Sequence, residues 1–475
     1  MKAAGSLSVR KRLNKLQWDS ALFVLLGFVP GIVVPQASPA SNESEMDREF
    51  RAAMAAEDRG DVERAEALLS KLHSAHPGIF AVDESLGLLF AAGGDVSRAL
   101  PLLEAAARAQ PSSDAAHANL GAALYRLHRV QPALNEFEQA VRINPRNFSA
   151  RQSLGRLWME SHRPDEAAKA FQAALQLQPE DSDLELDCIT ALLAADRLPE
   201  AERMLSTFED AGQSARAQSL LGEADEKAGK FQSAAKHFAH AVELEPSEEN
   251  AWQLSLEFLR HWTFDAAVTE LEAASAKFPD SKRIRLGLGA AFFGASQYPQ
   301  AISVFADLLE AEPNNAIYAE LLGISCNARM QTSSPRCGVL VAYAQSHPAD
   351  AKAATYAASL LLTQNDDTQS VDLARRLLAS ALAADPNLPE AQFQMAVIMQ
   401  NGLNWEASIP YLERAVKLKP DFAQAHYRLA RAYWRMGRRQ DGAAQMELQK
   451  KFASQEQDDL DRRLRQVTTI AVEVH

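Results

Sequence analysis

The sequence is poor in aromatic residues, poor in cysteine and short of positive charge. Aromatics make up 7% of its 475 residues, while alanine and leucine are prominent. That balance disfavours a β-rich fold and favours helices. Lysine and arginine number 49 against 62 acids, a net charge of −13. Phosphate neutralisation needs clustered cations, so the chain is a poor general binder of nucleic acid and none is expected as a partner. Apolar runs are scarce as well. ALFVLLGFVPGIVV, from Ala21 to Val34, has 14 residues and is interrupted by Pro30-Gly31. About 20 are needed to span a bilayer comfortably. No later stretch is long and apolar enough to cross a membrane.

The motifs of catalysis are also missing. There is no G-x-S-x-G, no H-E-x-x-H, and no glycine-rich phosphate loop after a strand. His73/His76 and His237/His240 are each three apart on a helix, but neither pair has a third metal ligand at a usual spacing. No catalytic residue, metal or cofactor is therefore expected.

The first forty residues form a segment of their own. Lys2, Arg10, Lys11, Arg12 and Lys15 precede the apolar run with one acid, Asp19, and Ser38 and Ala40 stand at the spacing of a signal-peptidase site. This reads as a secretory signal peptide cut after Ala40 and places the mature chain in the periplasm or outside the cell. Left uncut, the same segment is an inner-membrane anchor with the chain on the extracytoplasmic side. No cysteine lies near the cut, which argues against a lipoprotein, and there is no twin-arginine motif. Residues 41–45 read as a flexible lead.

The remainder is periodic. Pro77, Pro111, Pro145 and Pro179 are 34 apart, and Pro246, Pro279, Pro313, Pro348, Pro386 and Pro420 continue at 33 to 38. Gly87, Gly121, Gly155, Gly222 and Gly289 lie 24 before a proline, each after a leucine. Ala99, Ala133, Ala167, Ala234 and Ala301 follow 12 later, and Leu103, Phe137, Phe171, Phe238 and Phe305 four beyond those. Two amphipathic helices per period satisfy these registers. Glycine and alanine mark their closest approach, a large apolar residue fills the joint, and proline stops the second helix.

These registers resemble the tetratricopeptide repeat, a 34-residue helix-turn-helix, over residues 46–451. The resemblance implies an all-α fold of about twelve helix pairs, stacked as a right-handed superhelical solenoid with first helices along the concave side. The stretch 324–388 departs from it. Pro335 replaces a small second-helix residue, MQTSSP lengthens a turn, and extra residues surround Asn365 to Ser370. Earlier, Ile189 stands where a glycine is expected. Residues 452–475 read as a charged capping helix and tail, with VTTIAVEVH a frayed end.

The repeats reach almost to the C-terminus, so no separate catalytic domain remains. The asparagine ladder of the repeat-bearing sugar transferases is absent but for Asn119. The ordered Lys and Asn clamp that grips carboxyl termini in chaperone co-factors is not matched either. The sequence therefore points to a non-catalytic scaffold that binds a protein or extended peptide. A membrane-anchored assembly factor, using the N-terminal segment uncut, is the alternative, and an enzyme with a site built across repeats is the third class. Concave positions counted from the glycine register give Asp183, Asp187, Glu223, Glu226 and Glu249 in the middle, with Trp252 and Phe293 beyond. The last repeat gives Tyr427, Arg428, Arg431, Trp434 and Arg435. Arginine forks and aromatic planes there suit an acidic or carboxylate-bearing segment. The competing reading is a solvated cap, or a stripe covered by the acidic tail Gln455 to Asp461. Cys188 falls in a core leucine register. Cys326 and Cys337 flank the irregular turn. An oxidising compartment makes a disulfide between them feasible, although Cys326 also occupies an apolar register.

Overall fold

A computed structural model describes residues 45–328, 334–364, 367–453 and 456–473. The N-terminal segment, most of MQTSSP, and Asn365 and Asp366 lie outside the described residues. Among those described there is no strand, and the helices come in successive pairs joined by short turns. None of these helices is long and apolar enough to cross a membrane. The described residues fall into two compact units that divide between Ala211 and Gly212.

The first unit holds five pairs, from Glu45–Asp58 with Val62–Ala75 to Ser182–Ala194 with Leu198–Thr207. Local chemistry sets the boundaries. Asp61, Asp95, Ser113, Asn147 and Asp181 cap helices through their side chains, each accepting from a backbone N–H three residues on. The second unit holds seven pairs, from Ala215–Lys227 with Phe231–Leu244 to Ala423–Arg435 with Arg439–Ala453. A final helix, Glu456–Glu473, follows. Ser214, Ser247, Ser281 and Asn315 cap the first helices there.

The glycine register proves to be a steric requirement. A Cβ at Gly222 would lie 2.8 Å from the Phe238 ring, and one at Gly121 would lie 3.0 Å from Phe137. Gly155 and Gly289 face Phe171 and Phe305 still more tightly, and Gly87 faces Leu103. The glycine thus opposes the large residue 16 positions on, rather than the alanine 12 on that the sequence reading opposed to it. Those alanines are buried one turn earlier, with Ala99, Ala133, Ala167, Ala234 and Ala301 all fully buried.

The turn within ten of the pairs has a register that the sequence hides. Gly60, Gly94, Gly229 and Gly437 take positive φ there, but so do His128, His162, Asp196, Trp262, Ser296 and Leu403. The left-handed conformation is structurally fixed while its residue type drifts. For a side chain as bulky as tryptophan it costs on the order of 1 kcal/mol.

The irregular ninth pair couples Ala316–Cys326 to a shortened second helix, Gly338–Ser346, preceded by a 3-10 turn at Pro335–Cys337. Cys326 and Cys337 are joined there with their Cα atoms 6.0 Å apart, and both are buried. Gly323 lacks its usual second-helix ring and faces Tyr356 of the next pair instead.

Gly289→Ala should destabilise the chain by about 1–3 kcal/mol, because the Phe305 ring is fully buried and cannot swing away. Phe305→Leu in the same chain should recover part of that loss, measured as coupling in a double-mutant cycle of chemical denaturation. An unconstrained helix glycine behaves oppositely, gaining about 1 kcal/mol on conversion to alanine. That gain would refute the joint.

Candidate functional site

In the first unit the first helices of the second, third and fourth pairs touch in succession, and in the second unit so do those of the sixth to eighth and of the ninth to eleventh pairs. The first helices therefore line the closer-packed, inner face. Polar side chains along this face reach one repeat onward. In the first unit Asn119 donates to Glu84 (3.1 Å), and Arg156 pairs with Asp187 (3.6 Å). In the second, Arg283 pairs with Glu249 (2.9 Å) and Lys352 with Glu320 (2.8 Å). Several acids that the sequence offered to a partner are thus engaged by the neighbouring repeat. Asp187 and Glu249 are among them, and Glu226 bonds to His261 at 2.9 Å.

The other sequence candidates divide. Asp183 is exposed and belongs to the first unit. Glu223 is half-buried, and burial raises its carboxyl pKa against the pull of Lys227 and Arg260. Trp252 is a correction: it is 5% exposed, and its ring fills the space where a Cβ on Gly287 would stand, on the next first helix. Phe293 is likewise buried, edge-on to Tyr298 at 5.3 Å. Both serve the core and offer no ring to a partner.

At the last repeat the structure does gather the stripe. Arg431 and Arg435 each stand 5.4 Å from the Trp405 ring, and Arg431 is 5.7 Å from Tyr427. Tyr427 and Trp434 are both 43% exposed. Arg428 turns inward, donating to Gln400 (3.1 Å), and burial lowers its pKa ahead of repulsion from Arg431. Trp405 was not foreseen. It lies on the preceding second helix, outside the first-helix count. The side chains of the acidic tail lie outside the described residues, but Arg462 pairs with Asp421 at 3.6 Å.

One histidine of each pair singled out in the sequence is engaged locally. His73 Nδ1 stands 2.6 Å from buried Asp83, and His237 Nδ1 stands 2.8 Å from Gln218. Cys188 is fully buried, and burial pushes its thiol up to about 12.

Two features of the second unit went unseen in the sequence. One is a cluster of Glu226, Glu257 and His261. Glu257 is 2% exposed, and neither of its carboxylate oxygens has a hydrogen-bond partner. Burial first, then the neighbouring Glu226, pushes its carboxyl up to about 7. The other is the final helix. Residues expected to fray continue helical to Glu473, and the helix lies against the first helices of the seventh, eighth and ninth pairs. Val467 is fully buried and Thr468 nearly so, while Leu464 and Ile470 pack on the same core. Arg463 donates to the Asn327 carbonyl (3.0 Å), Gln466 to Glu320 (2.8 Å), and Arg465 lies 5.5 Å from the Trp262 ring.

Two sequence profiles, both described as tetratricopeptide repeat, match this chain. One covers residues 158–224 and 263–323, the other 50–114, 84–133, 119–182 and 400–451, together more than half of the sequence. The chain belongs to the tetratricopeptide repeat family. Between the matches lie residues 225–262 and 324–399, and the second of these stretches holds the irregular turn and short second helix of the ninth pair and the lengthened tenth pair. No curated protein matches the sequence. Among solved structures, the MamA protein is 19% identical, with TM-score 0.33, over 39% of this chain and 95% of that one. YrrB, described as a TPR protein with an unusual peptide-binding site, is 20% identical with TM-score 0.36, over 38% and 94%. The Cut9–Hcn1 tetramer structure is 14% identical with TM-score 0.34, over 90% and 92%. Membership of the family rests on the repeat profiles and the registers, not on these likenesses.

Val467→Asp should release the final helix, since it places a carboxylate in a fully buried apolar seat. Amide exchange across 462–470 should accelerate at least tenfold while exchange in the repeats holds. Protection equal to wild type would mean the helix is not seated on the inner face.

Proposed function

We propose that this tetratricopeptide repeat protein is an exported, non-catalytic scaffold that binds an amphipathic helix of a partner protein on the inner face of its seventh to ninth pairs. The observation that supports this reading is the chain's own final helix on that face. Leu464, Val467 and Thr468, at i, i+3 and i+4, give it a narrow apolar ridge, and Arg463, Arg465 and Gln466 flank the ridge. A surface that accepts such a ridge uses the helix-in-groove mode of recognition. The occupant is tethered, so its effective concentration is on the order of millimolar. A partner helix must outcompete it, and the free face is then a minor state of the resting protein.

The exposed stripe of Tyr427, Arg431, Trp434 and Arg435 is the second contact in this reading, suited to a partner's acidic flank. Export rests on the basic, apolar and small-residue order of residues 1–40, and it places the Cys326–Cys337 pair where the bond persists. N-terminal sequencing of protein from its native cells should begin at Ser41. A start at Met1 would favour the anchored assembly factor.

A synthetic peptide of residues 456–473 tests the binding mode. Chain ending at Ala453, with wild-type helicity by circular dichroism, should bind this peptide with a micromolar Kd. The full chain should bind it at least tenfold more weakly, and a peptide carrying Val467→Asp should bind neither. Failure of the wild-type peptide to bind the folded, shortened chain would overturn the proposal.

A further inference from the structure

Two residues after the glycine register, the repeats place small or apolar side chains. Leu89, Ala123, Leu157, Ala224 and Ala291 all stand there, and all are buried. In the seventh pair Ser255 occupies the glycine position, 34 before Gly289, and the residue two further on is Glu257. A carboxylate has replaced an alanine at a core position. Nothing in the packing of the repeat calls for it, and a buried acid without a partner is costly. Its surroundings offer little relief. Arg260, the nearest cation on its own helix, is exposed, and the groups that face it are the Glu226 carboxylate and the His261 ring.

His261 Nε2 stands 2.9 Å from Glu226 Oε2 and 3.6 Å from Glu257 Oε1. Bonds of about 2.0–2.2 Å to a common cation would bring neighbouring ligand atoms to about 3.0–3.5 Å, close to these separations. Phe231 lies against the imidazole at 3.8 Å between ring centroids and restricts its rotation. The side chains of Glu226 and His261 are about a quarter exposed (21% and 27%), so the cluster opens to solvent on one side.

We propose that Glu226, Glu257 and His261 form a site for one divalent transition cation, Zn²⁺ or Mn²⁺, bridging the sixth and seventh repeats. Two carboxylate oxygens and one imidazole nitrogen suit these ions, whereas calcium calls for six or more oxygens. The cation supplies the charge that Glu257 otherwise lacks, and it replaces the hydrogen bond between His261 and Glu226. Positions on the solvent side remain for water or for a carboxylate of a bound partner. The site does not depend on how the inner face of the later pairs is used.

The full chain, stripped with chelator and desalted, should bind one equivalent of Zn²⁺ or Mn²⁺ by titration calorimetry at neutral pH. Glu257→Gln and Glu226→Gln should each weaken that binding at least tenfold, and Ca²⁺ should bind at least tenfold more weakly than the preferred cation. Glu257→Gln keeps the shape of the side chain and removes a buried charge, so circular dichroism should be unchanged. If it fails to fold, the part-exposed Glu226→Gln carries the test alone. Absence of binding by either cation would overturn the site. So would stoichiometric binding that both variants retain.

Discussion

The contact on which the rest depends is an apolar side chain seated over a backbone that carries no Cβ. In regular pairs, a leucine or phenylalanine of the second helix lies over the glycine of the first. This one contact sets the distance between the two axes and locks their rotation, because a ridge can enter a groove only at matching registers. With rotation fixed, each helix presents a defined second face to the next pair. A single pair leaves half of its apolar surface uncovered, so stability accrues only by stacking. The 34-residue period is the distance along the chain at which that contact recurs.

This explains what could be read in the sequence and what could not. Glycine, alanine, phenylalanine and proline registers report contacts that tolerate little substitution, and they were legible at Gly121, Phe137 and Pro145 alike. The turn within the pair is equally fixed in space, yet His128, Trp262 and Leu403 fill it as well as glycine does. A backbone conformation costing about 1 kcal/mol is too small a penalty to enforce one residue type in a large, cooperative array. Trp252 and Phe293 were misplaced because a face was counted in isolation. Whether a first-helix aromatic points at solvent or into Gly287 depends on the next repeat, one full period away.

The inner face shows the same dependence in polar form. Its side chains find partners about one repeat onward, as Glu249 does in Arg283, and Glu320 in Lys352. Surface ion pairs of this kind contribute little individually, at about 0–1 kcal/mol. Their effect is on availability. Charges that look unassigned in one repeat are held by the next, so a list of inner-face acids overstates what a ligand can use. In the twelfth pair the stripe is engaged from within and from the preceding second helix. Arg431, Arg435 and Trp405 are grouped with one another, and Tyr427 and Trp434 stay exposed.

The second unit adds two departures to this regular scheme, and both concern the inner face. At Glu257 a charged group stands where the stacking contact asks only for a small or apolar one. From Arg462 to Ile470, a helix outside the repeat pattern covers a face that the pattern leaves open. Neither follows from the 34-residue period, and neither is needed to complete the stack. The packing of a repeat array is indifferent to function, because each regular pair satisfies the same joint. Function in such a protein has to be written where the period is broken. The breaks at Glu257, at Trp262 beside Arg465, and along the final helix all lie on the first helices and turns of the second unit's seventh to ninth pairs or on what covers them.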